Sequence, residues 1–195
     1  MPLLRYQSER AGDSPEGVIT SHSVAAAGLA IDRAIREYVR QQYQVLIGER
    51  MAEAIKIAVA SAWPGSEVLC IQVIGRSLSD PAPCQLEIHS DEIFYVLDPL
   101  LRIIIEGIKR AIAEAPLDAL TDLYDTGIVL TGGGALLWDL DARLRDEIRL
   151  PVTRAECPLE AVVLGAGYLL DQASLLDRFQ VGAGVASWEF ETEAD

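Results

Sequence analysis

Residues 127–137 read GIVLTGGGALL, and this stretch decides the fold of the chain. Its first part, 127–131, is apolar and typical of a buried strand, and a helical pattern follows directly after Gly132, Gly133 and Gly134. Backbone without side chains lets a ligand approach closely, and unpaired amides at a helix start favour an anion. Many strand–glycine–helix turns bind nothing, so the stretch indicates a nucleotide site only together with its neighbours.

The size and charge of the chain limit the classes of protein to which it can belong. Its 195 residues suit one large domain or two small lobes, and a composition that is 50% apolar supplies a core. The net charge of −14 argues against nucleic acid or an anionic membrane surface as the main partner. Four acids within residues 189–195 predict a solvated tail.

Cysteine and histidine usage argues against disulfides and metal sites. Cys70, Cys84 and Cys157 are widely spaced and no signal peptide is visible, so we expect reduced thiols and a cytoplasmic protein. His22 and His89 have no neighbours at metal-ligand spacing, so no metal site is predicted. No apolar run reaches the ~18 residues that cross a bilayer, and no direct membrane anchor is evident. No serine-hydrolase, zinc-protease or P-loop string occurs.

The predicted order of elements is a β-hairpin, two helices, a second hairpin, and then helix, strand, helix, strand, helix. The predicted bounds are strands at 3–7 and 18–26, helices at 29–45 and 49–63, strands at 67–76 and 84–89, a helix from its N-cap Ser90 to Pro116, a loop, a strand at 127–131, a helix to about 148, a strand at 151–154, and a last helix that opens at Cys157 and Pro158. Gly165 and Gly167 in the last helix predict close packing against another backbone, because each costs roughly 1 kcal/mol relative to alanine. The order describes a mixed α/β protein with a lobe, about 47–118, inserted between two parts of a parent sheet.

Several segments together resemble a known family. Residues 31–40 read IDRAIREYVR, 46–56 read LIGERMAEAIK, and the stretches 127–137 and 150–167 follow in the same order and spacing. They resemble the MreB family of bacterial actin homologues, which includes the magnetosome filament proteins, over about residues 17–180. The resemblance implies an α/β, actin-like ATPase fold (ribonuclease H-like), of which this chain would be the second lobe with an inserted small α+β subdomain.

The same resemblance divides the chain into parts. Residues 1–46 and 119–180 would form the parent α/β subdomain, and 47–118 the inserted small subdomain. Residues 181–195 would be an acidic flexible tail.

The resemblance also implies a site for an adenine nucleotide. Gly132, Gly133 and Gly134 would face the adenosine and the α-phosphate, and Glu53 and Lys56 would flank the ribose and adenine. An ammonium donor and a carboxylate acceptor one turn apart lie on the same helix face. The alternative is an exposed ion pair between Glu53 and Lys56 of little energetic value.

Three departures from the family pattern weaken this site. These 195 residues contain no segment that resembles the first lobe or its phosphate loop, and residues 1–6 stand where the family pattern leads us to expect a second phosphate loop, DxGGGT, before the strand at Val18. Ala27, Gly28 and Leu29 replace the usual Gly-Gly-Asp, and Leu29 cannot accept a hydrogen bond from a ribose. Phosphoryl transfer depends on positioning and on neutralised charge, so we expect no catalytic residue, no ATP hydrolysis by this chain alone, at most weak ATP or ADP binding, and no required cofactor.

Three functions follow as hypotheses. The first is an MreB-like cytoskeletal module that docks on or regulates an actin-like filament, or forms a homo-oligomer. The second is half of a split actin-like ATPase that a separate first-lobe chain completes. The third is a nucleotide sensor or a degenerate pseudo-enzyme that has kept only its folding residues.

Overall fold

The computed structural model describes residues 20–65, 68–80 and 82–171. In these ranges the helices are α1 (Gly28–Tyr43), α2 (Glu49–Val59), α3 (Ser90–Glu114), α4 (Leu117–Thr126), α5 (Leu140–Ile148) and α6 (Ala161–Asp171). The strands are β1 (Val45–Leu46), β2 (Cys70–Ser77), β3 (Pro83–His89), β4 (Ile128–Leu130) and β5 (Val152–Arg154). No helix in these ranges combines the length and the apolar character that a membrane span requires.

The strands form two separate sheets. The order of the first is β1-β2-β3, and both of its pairings are antiparallel, with Val73 opposite Leu86. The second pairs β4 with β5 in parallel, with Ile128 opposite Val152. Parallel neighbours need a crossover connection, and here the connection between β4 and β5 contains α5. The glycine turn is the first part of this connection and directly follows β4.

One apolar core joins helices α1 to α5 with both sheets. Ile31, Ile35 and Val39 of α1 are buried at a spacing of four residues, which is one face of a helix. α3 buries a longer stripe of the same kind, comprising Ile93, Leu97, Leu101, Ile105 and Ile108. The helix predicted at 29–45 is confirmed except at its end, because α1 stops at Tyr43 and Val45–Leu46 forms β1. The long helix predicted before Pro116 is confirmed as α3.

A polar network fixes the start of α3 against α1. The hydroxyls of Tyr38 and Tyr43 both donate to Glu92 Oε2, at 2.6 and 2.7 Å, and the backbone amide of His89 donates to Glu92 Oε1 at 2.5 Å. Burial and the Glu92 carboxylate raise the pKa of both phenols, that of Tyr43 to about 12. Both tyrosines therefore stay neutral donors near neutral pH.

The predicted loop after Pro116 is wrong, because α4 begins at Leu117. Ala119 and Leu123, one turn apart, are buried, so packing stabilises a helix whose aspartates and threonines are weak helix formers. α2 ends at Val59 rather than at residue 63. The chain turns extended at Ala60, and the amide of Ala62 donates to the carbonyl oxygen of Trp138 at 2.7 Å.

The predicted N-cap of α3 is also wrong by one residue. β3 continues to His89, which is the N-cap, and Ser90 is the first helical residue. The hydroxyl of Ser90 instead accepts a hydrogen bond from the amide of Leu69 at 3.0 Å. The side chain of Ser90 therefore ties the start of α3 to the residue before β2 and does not cap the helix.

Two further expectations fail at the ends of the described chain. Of the strand expected over 18–26, residues 20–26 contain only one β-bridge residue, Ser23, and residues 18 and 19 lie outside the described residues, as does the predicted strand at 3–7. The described part of the chain buries no residue of α6, and a Cβ at Gly165 or Gly167 would meet open space. These glycines therefore do not serve close packing within the described ranges.

Candidate nucleotide-binding site

The glycine turn is built by the end of β4 and one left-handed residue. Gly132 has φ +78°, a conformation that favours glycine, and its amide donates to the carbonyl oxygen of Pro158 at 2.7 Å. Its own carbonyl accepts the amide of Ala135 at 3.1 Å, which closes the first turn of a 3₁₀ helix, Gly133–Leu136. The turn is thus anchored to the segment that precedes α6.

The turn leaves amides and space open. In the described part of the chain, the amides of Gly133 and Gly134 donate to no other backbone group. A Cβ at Gly134 would meet nothing within 4 Å, and one at Gly133 would lie 3.5 Å from Leu159 Cδ2. The turn therefore offers donors and room for a ligand group.

The expected helix directly after the glycines is wrong. Only a four-residue 3₁₀ turn follows, and α5 starts at Leu140 after a left-handed Asp139. The dipole of a long helix is therefore not aimed at the glycines, and the free amides of the turn supply any attraction for an anion.

Lys56 contacts a residue that the sequence analysis did not single out. Its Nζ lies 2.8 Å from Asp32 Oδ1 on α1, and both side chains are largely buried. In the described residues no group hydrogen-bonds to that oxygen, so its contact with Lys56 is an ion pair. Nζ also lies 3.6 Å from the Cβ position of Gly28, which is an ordinary van der Waals distance.

Glu53 lies one turn before Lys56 on α2 and is exposed. Within the described ranges it forms no ion pair with Lys56, so the expected alternative of a Glu53–Lys56 pair is wrong. The ammonium is drawn toward α1 because Asp32 lies on the buried side of the helix, where the attraction is less screened than at the surface.

The end of α2 is tied to the segment that follows the glycine turn. Ser61 and Trp138 form an isolated parallel bridge, and the hydroxyl of Ser61 donates to the carbonyl oxygen of Trp63 at 2.8 Å. This contact fixes the chain that carries Lys56 against the chain that carries Gly132–Gly134. No hydrogen bond or ion pair in the described residues joins Glu53 or Lys56 directly to the glycines, so their sharing one site remains a prediction.

Arg143 also connects the segment that follows α2 with the segment that follows the glycine turn. It is a buried arginine on α5, whose Nη1 donates to the Ala62 carbonyl oxygen at 3.0 Å and whose Nη2 donates to Asp98 Oδ1 at 2.5 Å. Its guanidinium also lies 5.8 Å from the ring centre of Phe94. Burial raises the pKa of Asp98, but the hydrogen bonds and charges of Arg143 and Arg102 outweigh it, so that pKa lies below its ordinary value.

Sequence reasoning missed Asp32 and Arg143 for different reasons. Arg143 occupies the apolar face of its helix between Leu140 and Leu144, and a charge at such a position is a readable signal. Asp32 gave no comparable signal, because its partner lies in another helix.

The architecture defines a class of protein, an α/β protein of the actin-like fold. The chain is similar to the crystal structure of MreB5 of Spiroplasma citri bound to ADP, with a TM-score of 0.76 and 27% identity over 86% of this chain and 50% of that chain. It shares its fold with the MamK filament seen by cryo-EM, with a TM-score of 0.66 and 16% identity over 90% of this chain and 53% of that one.

The sequence narrows the class to one family. The family model described as MreB/Mbl protein matches residues 9–178. The chain is 41% identical over 162 residues to the cell shape-determining protein MreB of Escherichia coli (strain K12), which covers 83% of this chain and 47% of that protein. The chain therefore belongs to the MreB/Mbl family of actin-like cytoskeletal proteins. It spans about half the length of the curated relatives that it matches.

Proposed function

We propose that the chain is a cytoskeletal module corresponding to the second lobe of an actin-like subunit, and that it docks on an actin-like filament. The two separate sheets support a division into a parent subdomain (1–46 and 119–180) and an inserted one (47–118). Because β1 pairs with β2, the first boundary fits better just before Val45. The predicted tail, 181–195, lies outside the described residues.

A weak site for ATP or ADP is the second part of the proposal. The glycine turn carries it, since Gly133 and Gly134 present open amides and unfilled space at the end of β4. Lys56 would contribute its ammonium and Glu53 its exposed carboxylate on the ribose and adenine side. The similar MreB5 structure contains ADP, which supports this choice of ligand.

A substitution at Gly134 tests the nucleotide site. Gly134→Val places a side chain in open space without a left-handed φ, so the fold is kept while the ligand is blocked. We expect calorimetric titration with ADP to show at least tenfold weaker binding than for the unaltered chain. Gly165→Val, the same change at an open position on α6, is the matched control and should leave ADP binding unchanged.

Equal ADP affinity in the two variants would contradict the assignment of the turn. Absence of binding to the unaltered chain at millimolar ADP would contradict a nucleotide site altogether.

Co-sedimentation tests the filament part independently. The chain, mixed with filaments of a full-length MreB, should appear in the pellet in proportion to the filament, and should remain in the supernatant without it. A chain that stays in the supernatant at every filament concentration would contradict docking, whatever the result with ADP.

A further inference from the structure

A groove of about 530 Å³ lies beside α1, away from the glycine turn. Three arginines of α1, Arg33, Arg36 and Arg40, form one wall together with a single carboxylate, that of Glu37. Leu46, Ile47 and Leu78 form the opposite, apolar side. We call this surface the α1 groove.

The groove concentrates positive charge on a strongly acidic chain. The sequence has 30 acidic residues and 16 lysines and arginines. Three of the arginines nevertheless line this one surface. They occupy positions i, i+3 and i+7 of a helix, which share a face. Arg76 lies directly opposite Leu46 in the β1–β2 pairing and so on the same face of the sheet.

Most of this charge is weakly compensated. Arg36 contacts Glu49 and Arg40 contacts Glu37, each at 3.4 Å between largely exposed side chains. Exposed pairs of this kind contribute about 0–1 kcal/mol. Among the described residues, no carboxylate oxygen lies within 4.0 Å of the Arg33 guanidinium.

The apolar side of the groove is open to solvent. Leu46 is 36% exposed and Leu78 48% exposed, and Ile47 beneath them is buried. A ligand that fits must therefore combine acidic groups with apolar ones.

We propose that residues 188–195 of this same chain, WEFETEAD, dock in the α1 groove. This inference goes beyond the proposed function, concerns a different surface, and replaces the expectation that residues 181–195 form a solvated, flexible tail. Trp188 and Phe190 alternate with Glu189, Glu191 and Glu193. In an extended conformation alternate side chains point to opposite sides, so the aromatic rings meet the leucines while the glutamates meet the arginines.

The dimensions of the two partners match. Arg33 and Arg40 are separated by about 10 Å along the α1 axis, given a helical rise of 1.5 Å per residue. Glu189 and Glu193 are separated by about 13 Å in an extended chain. Each of the three glutamates can therefore reach one arginine of the α1 wall.

The connection is long enough for docking within one chain. The described chain ends at Asp171, and Trp188 follows about 17 residues later, a stretch that spans up to about 55 Å when extended. A compact chain of this length has a radius of gyration of about 16 Å, so the segment can reach any surface. A short connection also gives a millimolar effective concentration.

A second groove in the described residues does not suit the same segment. It lies beside Trp63 and Trp138, and its charged lining residues are Asp91 and Asp139. These carboxylates would repel an acidic segment, since like charges across an interface cost several kcal/mol.

A labelled peptide of residues 186–195 tests the proposal by fluorescence anisotropy. In the unaltered chain the resident segment competes with the peptide. In the full-length variant Glu189→Gln/Glu191→Gln/Glu193→Gln the groove is vacated, so we expect at least tenfold tighter peptide binding. Adding Arg33→Ala and Arg40→Ala to that variant should weaken peptide binding at least tenfold, whereas adding Arg110→Ala and Arg149→Ala, exposed arginines outside the groove, should not.

Three results would overturn the proposal. One is equal peptide affinity for the unaltered chain and the glutamine variant. Another is that a peptide in which serines replace Trp188 and Phe190 binds as tightly as the original peptide, because charge alone would then explain the affinity. The third is a dimer, seen by light scattering in the unaltered chain and lost in the glutamine variant, because the segment would then dock on a second copy.

Discussion

Lys56 Nζ on α2 lies 2.8 Å from Asp32 Oδ1 on α1, and this ion pair joins the two helices on their facing sides. Both side chains are largely buried, and Gly28 borders the ammonium. The pair therefore holds Lys56, which the family resemblance assigns to the nucleotide site. Its partner, Asp32, is not one of the residues that the resemblance assigns to that site.

Removal of Lys56 tests the structural weight of this pair. In Lys56→Ala the Asp32 carboxylate loses its one cationic neighbour in the described chain, and a buried group left unpaired costs about 1–3 kcal/mol. We expect urea unfolding to show a loss of that size. Lys56→Met combined with Asp32→Asn should recover part of it, because neither residue is then charged.

Glu53→Ala is the matched control, since Glu53 is an exposed residue of the same helix. Its unfolding free energy should change by less than about 0.5 kcal/mol. A loss equal to that of Lys56→Ala would show that helix propensity, and not the pair, determines the effect.

Arg143→Ala should be more damaging. The change removes donors from the Ala62 carbonyl and from Asp98, although Asp98 keeps its contact with Arg102 at 2.8 Å. Breaking a buried ion pair costs about 3–5 kcal/mol, and the remaining partner reduces this to about 2–3 kcal/mol.

Chemical denaturation measures the effect of Arg143→Ala directly. Arg149→Ala, on an exposed arginine paired with Asp146, should be nearly neutral. Similar losses in the two variants would contradict a special role for the buried guanidinium.

Alkaline pH should destabilise the contact between α1 and α3. The pKa of Tyr43 is raised to about 12 from an ordinary value near 10. A raised folded pKa contributes stability that is fully present below the unfolded pKa and is lost as pH rises through the folded pKa. We therefore expect the unfolding free energy to fall between about pH 10 and 12.

Tyr43→Phe removes this titration and should show a flatter decline over the same pH range. Unfolding curves for both proteins at several alkaline pH values make the comparison. Parallel declines would contradict the assignment, because other groups would then account for the whole pH dependence.

Much of the fold could be predicted because its signals are local. Ile31, Ile35 and Val39 recur at helical spacing, which is a readable signal for α1, and the strands predicted at 67–76 and 84–89 form the hairpin of β2 and β3. α4 was missed because burial of Ala119 and Leu123, and not helix propensity, stabilises it. The end of α2 was misplaced because a distant residue, Trp138, pairs with Ala62.

The candidate site was predictable only in part. The glycines and their position after a strand are visible in the sequence, since glycine is the residue that takes φ +78° readily at Gly132. The 3₁₀ turn after them was not visible, because an apolar run of four residues fits either kind of helix.

The sequence by itself determined the family, the amphipathic helices and the glycine turn, because these depend on the order of residues along the chain. Only the tertiary structure decided that Lys56 pairs with Asp32 and leaves Glu53 exposed, and that Arg143 bonds to Asp98 and Ala62. The partner of a buried charge is the group that packing brings within a few ångströms in a poorly screened interior. Residues that are neighbours on one helix need not be the ones that packing brings together.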